Sequence, residues 1–482
     1  MSENCQGTEA IDTKDTIHVD IAVIGGGPGG YTAAFRAADL GLSVGLIESA
    51  ATLGGVCVNE GCIPSKTLLH ATSLITEANH AQEMGISFGQ IQVDIETLRN
   101  HKVKTVKTLT TGIANLADAR GIKRLQGKGT FKAAHRLEVV GANSTVTVSF
   151  GKAIIATGSS PVKLPKMPEH ACIWDSSAAL DLKTIPDNLL IIGGGIIGLE
   201  MAQVYAALGS NITIVEASEQ LIPAADKDIL QPLLKSIKKH YQILTKTKVV
   251  DVSIIEEGVS VTMEGKKVME PVVFDSVLVA VGRQPNTANI GLERLGITLD
   301  SHQCIPVDSH RETSSSGVYA IGDVVAGPML AHKATHEGKI AAESAAGLSV
   351  SQKVVAIPSV AYTSPELAWV GLTEKAAKAQ GVEYTVGKIP WLVSGRAQSV
   401  NATNGVTKAL FDKQDGVLLG ASICGENAGE LIHEAVIGLT MGTKAYDIAH
   451  AVHAHPTLSE TFAFAAELVE GTMTDMLPPR KR

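Results

Sequence analysis

The chain has 482 residues, too many for one hydrophobic core, and domain-size scaling divides it into three or four compact units. Its 45 % hydrophobic and 19 % charged residues suit a soluble globular protein, and a net charge of −8 excludes a duplex-binding surface, which needs excess Lys and Arg. No run reaches the roughly 18 apolar residues of a membrane span, because the longest candidate, 189–199, is broken by glycines.

Residues 1–17 carry Glu3, Glu9, Asp12 and Asp15 and no apolar block. They read as a short disordered lead-in, neither a secretory signal nor an Arg-rich transit peptide, which makes the cytoplasm the expected location. The apolar strand 19–24 (VDIAVI) is followed by GGGPGG at 25–30, an Ala-rich helix to about Leu40 and a strand at 43–47 ending in Glu48. Helical sequence fills 64–120. An alternating stretch at 136–150 then leads to the buried strand AIIATG at 153–158.

The same unit recurs. LLII at 189–192 precedes GGGIIG at 193–198, a helix to about Leu208, a strand at 211–215 ending in Glu216, alternation at 249–263 and VLVAVG at 277–282. We read an internal duplication of a dinucleotide-binding fold. Gly25 to Gly158 spans 133 positions and Gly193 to Gly282 spans 89, so the first copy carries 44 additional residues, placed most simply within 64–120. The strand GVYAIGD at 317–323 and a helix near 336–347 either complete the first copy or bridge the two. From about 355, strands at 358–363, 368–371, 406–412 and 417–424 alternate with helices at 373–380, 427–441 and 458–470. The expected fold class is α/β, two Rossmann-like dinucleotide-binding domains plus a C-terminal α+β domain whose apolar faces suit pairing with another chain.

In each G-x-G-x-x-G pattern the first glycine (Gly25, Gly193) makes the tight turn. The second (Gly27, Gly195) admits a pyrophosphate to the backbone, and the third (Gly30, Gly198) lets helix pack on strand. One such match in a chain with 47 glycines is weak, but both lie between strand and helix, and each is followed 18 positions after its last glycine by a carboxylate, Glu48 or Glu216. Two dinucleotides are expected. A carboxylate at the second strand accepts from a ribose 2′-OH and repels a 2′-phosphate, and 217–220 (ASEQ) offers no Arg, so NAD is favoured over NADP.

Four of the six cysteines, Cys5, Cys172, Cys304 and Cys424, are isolated, whereas Cys57 and Cys62 sit together in GGVCVNEGCIPSK at 54–66. Pro64 suits the first turn of a following helix, whose N-terminus favours a thiolate. A zinc half-site would need two further ligands, and none lies nearby in sequence, so no metal is expected. A staple closing so short a loop would contribute on the order of 2 kcal/mol, little for this chain. A redox pair is the stronger reading. HAHPTLSE at 453–460 supplies His455, kept from helical geometry by Pro456, with Glu460 placed to hold its imidazole. Lys66 and Glu200 follow the motifs into their helices, either as solvated residues or as a buried pair. Asp323 ends an apolar strand, as a helix cap or a ligand to a sugar-like hydroxyl.

With these residues in view, the chain resembles the glutathione-reductase-like pyridine nucleotide-disulfide oxidoreductase family, class I, and within it the members that oxidise dihydrolipoamide. The resemblance runs from about Val19 to Pro478 through GGVCVNEGCIPSK (54–66), GGGIIGLE (193–200), VGRQPN (281–286), YAIGD (319–323), GPMLAHKATHEG (327–338), AYTSPELAWVG (361–371) and HAHPTLSE (453–460). It implies an FAD-binding domain at 1–157, an NAD-binding domain at 158–282, a central domain completing the FAD site at 283–353 and a dimerisation domain at 354–482. FAD would be held by Gly25, Gly27, Gly30, Glu48, Gly55, Val56, Lys66, Gly129, Thr157, Gly158, Ser159 and Asp323, with Met329, Leu330, Ala331 and His332 at the isoalloxazine end. NAD would meet Gly193, Gly195, Ile196, Ile197, Gly198, Glu216, Val249 and Gly282.

The resemblance further implies a homodimer in which His455, oriented by Glu460, serves the Cys57 and Cys62 pair of the other subunit. Catalysis would involve these four residues with Lys66 and Glu200. Implied partners are the lipoyl domains and the subunit-binding domain of 2-oxo acid dehydrogenase acyltransferases, with neither nucleic acid nor membrane. A glutathione-type reductase would want Arg near 217–222 for NADP, and a mercuric-reductase type would want a terminal Cys pair, whereas Cys424 is the last cysteine.

Overall fold

The computed structural model describes residues 16–350 and 356–477. The lead-in expected over 1–17 therefore lies outside the described residues except for Thr16 and Ile17, which already belong to the first strand, Thr16–Ile24. The chain divides into two compact units, one built from 1–63, 104–160 and 283–353, the other from 64–103, 161–282 and 354–482.

In the first unit, Thr16–Ile24 lies between the parallel strands Val44–Glu48 and Thr145–Ile155, and Lys123–Gln126 extends the sheet beyond Val44–Glu48. Strands Arg136–Val140 and Lys128–Ala133 add an antiparallel edge. The stretch 136–150 is thus a hairpin, and its second arm runs into the buried sequence to Ile155. Val318–Ala320 pairs in parallel with Thr145–Ile155, so the GVYAIGD segment completes this sheet. The central strand is a continuous apolar run, Ile21 to Ile24, because both its faces are buried: Ile21 and Val23 pack against helix residues Ala33, Ala34 and Ala37, and Ala22 and Ile24 against Phe131, Leu137 and Val139 of the antiparallel strands. Helix Pro28–Asp39 buries Ala33, Ala34 and Ala37, whose small side chains permit close approach. Helix Ala331–Ala345 lies so near it that a Cβ on Gly338 would fall 2.6 Å from the Gly29 carbonyl oxygen.

The second unit repeats the pattern. Strands Tyr241–Thr245, Asn211–Glu216, Asn188–Ile192, Ser276–Val279 and Ile173–Trp174 form a parallel sheet in that order. An antiparallel meander follows, Lys248–Ile255, Gly258–Glu264 and Val272–Phe274. The C-terminal part of this unit is a five-stranded antiparallel sheet, Ser359–Ala361, Glu366–Gly371, Leu418–Gly425, Val406–Asp412 and Tyr384–Pro390, accompanied by helices Ala428–Met441, Ala445–His450 and Glu460–Glu470. The expected α/β class with an α+β C-terminal domain is what the chain adopts.

Several elements depart from the sequence reading, some of them short, such as Ser176–Leu180, Gln231–Ile237 and Tyr241–Thr245. Strand Tyr384–Pro390 went unread because Gly387 and Lys388 interrupt its apolar pattern, yet a Cβ on Gly387 would fall 1.8 Å from the Ala465 carbonyl oxygen, so the glycine is required by the helix crossing the strand. Its proline occupies the last residue of an edge strand, where no ladder bond is lost. Helix Ala445–His450 is only six residues long, too short to show periodicity. The helix expected near 336–347 begins at Ala331, since its N-cap, Leu330, has no capping side chain to announce it. Among the described residues, no helix is long and apolar enough to cross a membrane.

Candidate active site and dinucleotide sites

The three glycines of each fingerprint are required for different reasons. Gly25 has φ +104°, and a Cβ there would lie 2.1 Å from the Ala156 carbonyl oxygen; one on Gly30 would lie 1.8 Å from that of Gly25. Gly27 has φ −72°, which any residue adopts, and a Cβ on it would meet nothing nearer than 3.8 Å. The second copy matches: Gly193 has φ +110° and would clash with Ala280, Gly198 would clash with the Gly193 carbonyl at 2.3 Å, and Gly195 faces open space. Protein packing thus accounts for the outer glycines and leaves the middle ones unexplained unless a ligand comes close. Both middle glycines are helix N-caps without a capping side chain, so the first N–H groups remain available to phosphate oxygens.

The two carboxylates repeat each other atom for atom. Glu48 accepts from Gly26 N at 2.7 Å and Ala50 N at 2.8 Å; Glu216 accepts from Gly194 N at 2.8 Å and Ser218 N at 2.6 Å. Each is thereby held at the carboxyl end of its sheet, beside the open glycine. Ile196 is half-buried and Ile197 is 37 % exposed at the same helix N-terminus. Val249 is half-buried next to a bulge, and Gly282, with φ +127°, also faces open space. The residues present fit a dinucleotide at both places.

Around the first site the structure joins residues that are distant in sequence. Ser159 Oγ donates to Asp323 Oδ2 at 2.6 Å, and Arg283 reaches Ser159 through Nε to Oγ at 2.7 Å and Nη2 to the carbonyl at 2.6 Å. Thr157 Oγ1 donates to the Asn286 carbonyl at 2.7 Å, and Asn286 Nδ2 returns a bond to the Thr157 carbonyl at 3.0 Å. The sequence reading placed Arg283 and Asn286 in a motif but assigned neither to the site; VGRQPN was the available signal. Gly158, φ +71°, is open, whereas Gly129 is buried against Ile24 and Ile47. Asp323 lies in the 3-10 turn Gly322–Val324. Met329, Leu330 and Ala331 are half-buried and His332 exposed where helix Ala331–Ala345 begins.

Cys57 belongs to the short helix Gly55–Glu60, and a Cβ on Gly55 would fall 2.6 Å from Gly27 Cα. The cysteine-bearing helix therefore abuts the fingerprint turn directly. One residue, Gly61, separates it from helix Cys62–His80, whose first residue is Cys62 and whose first turn contains Pro64. Cys57 is half-buried, Cys62 exposed, and Val56 between the turns is 38 % exposed. Burial, with the nearby Cys57, pushes the Tyr31 hydroxyl pKa above its ordinary value.

In the second unit, Lys66 Nζ lies 2.9 and 3.0 Å from the two oxygens of Glu200, which is buried and also accepts from Tyr362 N at 3.1 Å. The Lys66 ammonium stands over the Tyr362 ring, 4.6 Å from its centre. Lys66 and Glu200 are therefore a paired site and not two solvated residues. His455 Nδ1 is 2.8 Å from Glu460 Oε1, while Glu460 Oε2 accepts from Thr457 N at 2.7 Å. With Nδ1 spent on a fixed carboxylate and the side chain 76 % exposed, Nε2 faces outward as a proton acceptor. Helix Glu460–Glu470 begins two positions later than the expected 458, so Glu460 is its first residue and not one turn into it.

The molecule's own residues thus pair a Cys-x4-Cys segment with a dinucleotide turn and repeat that turn elsewhere. The family model of pyridine nucleotide-disulphide oxidoreductases matches residues 19–338, and that of the dimerisation domain of the same family matches 357–466. A dihydrolipoyl dehydrogenase of Vibrio parahaemolyticus is 48 % identical over 467 residues, 96 % of this chain and 98 % of the relative. One of Bacillus subtilis is 41 % identical over 458 residues, 95 % of this chain and 97 % of the relative. Among solved structures, LpdA of Mycobacterium tuberculosis superposes with a TM-score of 0.86 at 28 % identity, covering 94 % of this chain and 100 % of that one. The flavoprotein disulfide reductase RclA of Escherichia coli gives 0.84 at 28 % identity over 94 % and 100 %. FAD and NAD, the cofactors of this family, fit the two fingerprint turns. The chain belongs to the pyridine nucleotide-disulphide oxidoreductase family, with the family's dimerisation domain at its C-terminal end.

Proposed function

We propose that the protein is a dihydrolipoyl dehydrogenase, oxidising protein-bound dihydrolipoamide through the Cys57 and Cys62 pair and delivering the electrons to NAD⁺. The observation that carries this reading is the seating of the Cys57 helix on the first fingerprint turn, Gly55 against Gly27, with Cys62 opening the next helix. Bound FAD would supply the two-electron relay between dithiol and nicotinamide. The first-site residues named from the sequence, with Arg283 and Asn286 added, would hold it, and Gly195, Glu216 and their neighbours would hold NAD.

His455 Nε2 would take a proton from one substrate thiol, and the resulting thiolate would attack Cys57 Sγ in the oxidised pair. A mixed disulfide forms, and Cys62 leaves as a thiolate. Attack by the second substrate thiol on the mixed disulfide then releases the oxidised dithiolane and returns Cys57 to a thiol. Glu460 would orient the His455 ring through its bond to Nδ1 while the dithiol reacts. The Lys66 and Glu200 pair would contribute a fixed charge pair to the same reaction.

We place His455 at the cysteine pair of a second subunit, a reading favoured by the dimerisation domain and by the outward-facing imidazole. The division at 157, 282 and 353, the cytoplasmic location, and the lipoyl-domain and acyltransferase partners belong to the same proposal. Its test is the purified protein with dihydrolipoamide and NAD⁺, followed at the NADH absorbance band. Cys57→Ser and Cys62→Ser should abolish this turnover while sparing part of the NADH-to-dye activity. Full dithiol turnover in either variant overturns the assignment.

A further inference from the structure

Two buried charges in the first unit, Lys333 and Glu337, and the half-buried Arg311 have no part in the site so far described. The Glu337 side chain is 3 % exposed, and its Oε2 accepts from Gly322 N at 2.8 Å and from Lys333 Nζ at 3.1 Å. Its Oε1 faces Arg311 Nη1 at 3.2 Å. Lys333 Nζ also donates to the Gly322 carbonyl at 3.0 Å. Both polar backbone groups of Gly322, a residue in the left-handed region at φ +77°, are thus gripped by side chains four positions apart on one helix. The next residue is Asp323, already tied to Ser159 and, through it, to Arg283.

Burying the Lys333 and Glu337 charges is a poor way to add stability, because apolar side chains of similar volume do as well or better. Arg311 Nε is also buried without a hydrogen-bond partner, which packing for stability alone would have avoided. What the charges provide is direction: they fix the backbone of one residue, Gly322, on both sides of its Cα. Helix Ala331–Ala345, which carries Lys333 and Glu337, is the helix stacked on the first fingerprint helix at Gly29 and Gly338. It therefore sets the Asp323 turn in register with the phosphate-binding turn.

We propose that Lys333 and Glu337, supported by Arg311, are positioning residues that clamp Gly322 and so aim the Asp323 carboxylate at the polyol chain of the bound dinucleotide. The inference rests on the reading of the first site as the FAD site. The test is FAD binding, not turnover: apoprotein of the full chain is titrated with FAD and followed by flavin fluorescence, for Glu337→Gln and Lys333→Met, each alone and combined with Asp323→Ala. If the clamp acts through Asp323, each variant weakens FAD binding about 10-fold alone and less than about 2-fold when Asp323→Ala is present. Equal effects in both backgrounds, or no effect alone, overturn the clamp, as does an Asp323→Ala variant that binds FAD as the parent does. A lowered melting temperature of the apoprotein with unchanged FAD affinity also overturns it, since that is a purely structural role. Should Glu337→Gln fail to fold, Arg311→Met is measured in the same two backgrounds. A parent apoprotein that does not bind FAD overturns the site reading itself, a distinguishable result.

Discussion

The glycines of the second fingerprint offer a sharp separation of folding from binding. Gly198 is helical, so Ala there gains about 1 kcal/mol of intrinsic propensity. Against that, its Cβ would sit 2.3 Å from the Gly193 carbonyl oxygen and 3.1 Å from Ile191 Cγ2, neither able to yield without moving helix from strand. Overpacking of this kind costs about 1–3 kcal/mol or more, so the clash wins and Gly198→Ala should lower the melting temperature of the FAD-loaded protein. Gly195 has φ −78° and open space around the would-be Cβ, so Gly195→Val should change stability by no more than about 0.5 kcal/mol. A valine on the N-cap would nonetheless stand where a pyrophosphate must approach, and we expect the KM for NAD⁺ to rise about 10- to 100-fold, or about 1.4–2.7 kcal/mol. Steady-state kinetics and thermal unfolding of both variants decide the matter. A Gly195→Val enzyme with unchanged KM, or one destabilised as much as Gly198→Ala, refutes the assignment of the open glycine to the cofactor.

Further predictions concern charges away from the chemistry. Lys408 is fully buried, with Nζ at 2.7, 2.9 and 2.9 Å from Asp226, Asp228 and Glu374, the one set of carboxylates with metal-like spacing among the described residues. Since its ammonium fills that cage, Lys408→Met should destabilise by about 3 kcal/mol, the low end of the range because Asp228 and Glu374 remain partly hydrated; denaturant unfolding with no loss would refute this. His453 Nδ1 donates to the Ala451 carbonyl at 2.8 Å and Nε2 to Glu434 at 2.7 Å. Burial lowers its pKa, but those two bonds and the charges of Glu434 and Glu460 outweigh burial and raise it above 6.5. A pKa raised on folding stabilises fully below the unfolded value and is lost as pH climbs through the folded one. The stability gap between the parent and His453→Gln should therefore shrink as pH rises above about 6.5, with Glu467 the other carboxyl facing the ring's charge. A gap that widens over that window contradicts the imidazolium.

Much of this protein is legible in its sequence. Apolar runs, glycine spacing and a strand-ending carboxylate recur in both halves, and each is a local property: a strand buried on both faces must be apolar, and a turn with φ above +100° must be glycine. The Cys57 and Cys62 spacing and the His455, Pro456 and Glu460 segment are equally local, so their chemistry shows in sequence. Tertiary structure alone decided the rest. Sequence leaves Lys66 and Glu200 as surface residues or partners, and only folding brings atoms 134 positions apart to 2.9 Å. It marks Asp323 as a cap or a ligand, and only the fold adds Ser159, Arg283 and the Glu337 clamp around it. Gly387 broke the pattern of its own strand because a helix crosses there, a demand that comes from elsewhere in the chain. Periodicity reports which face of an element is buried, but not what it is buried against, and pairing energies between distant charges depend on the latter.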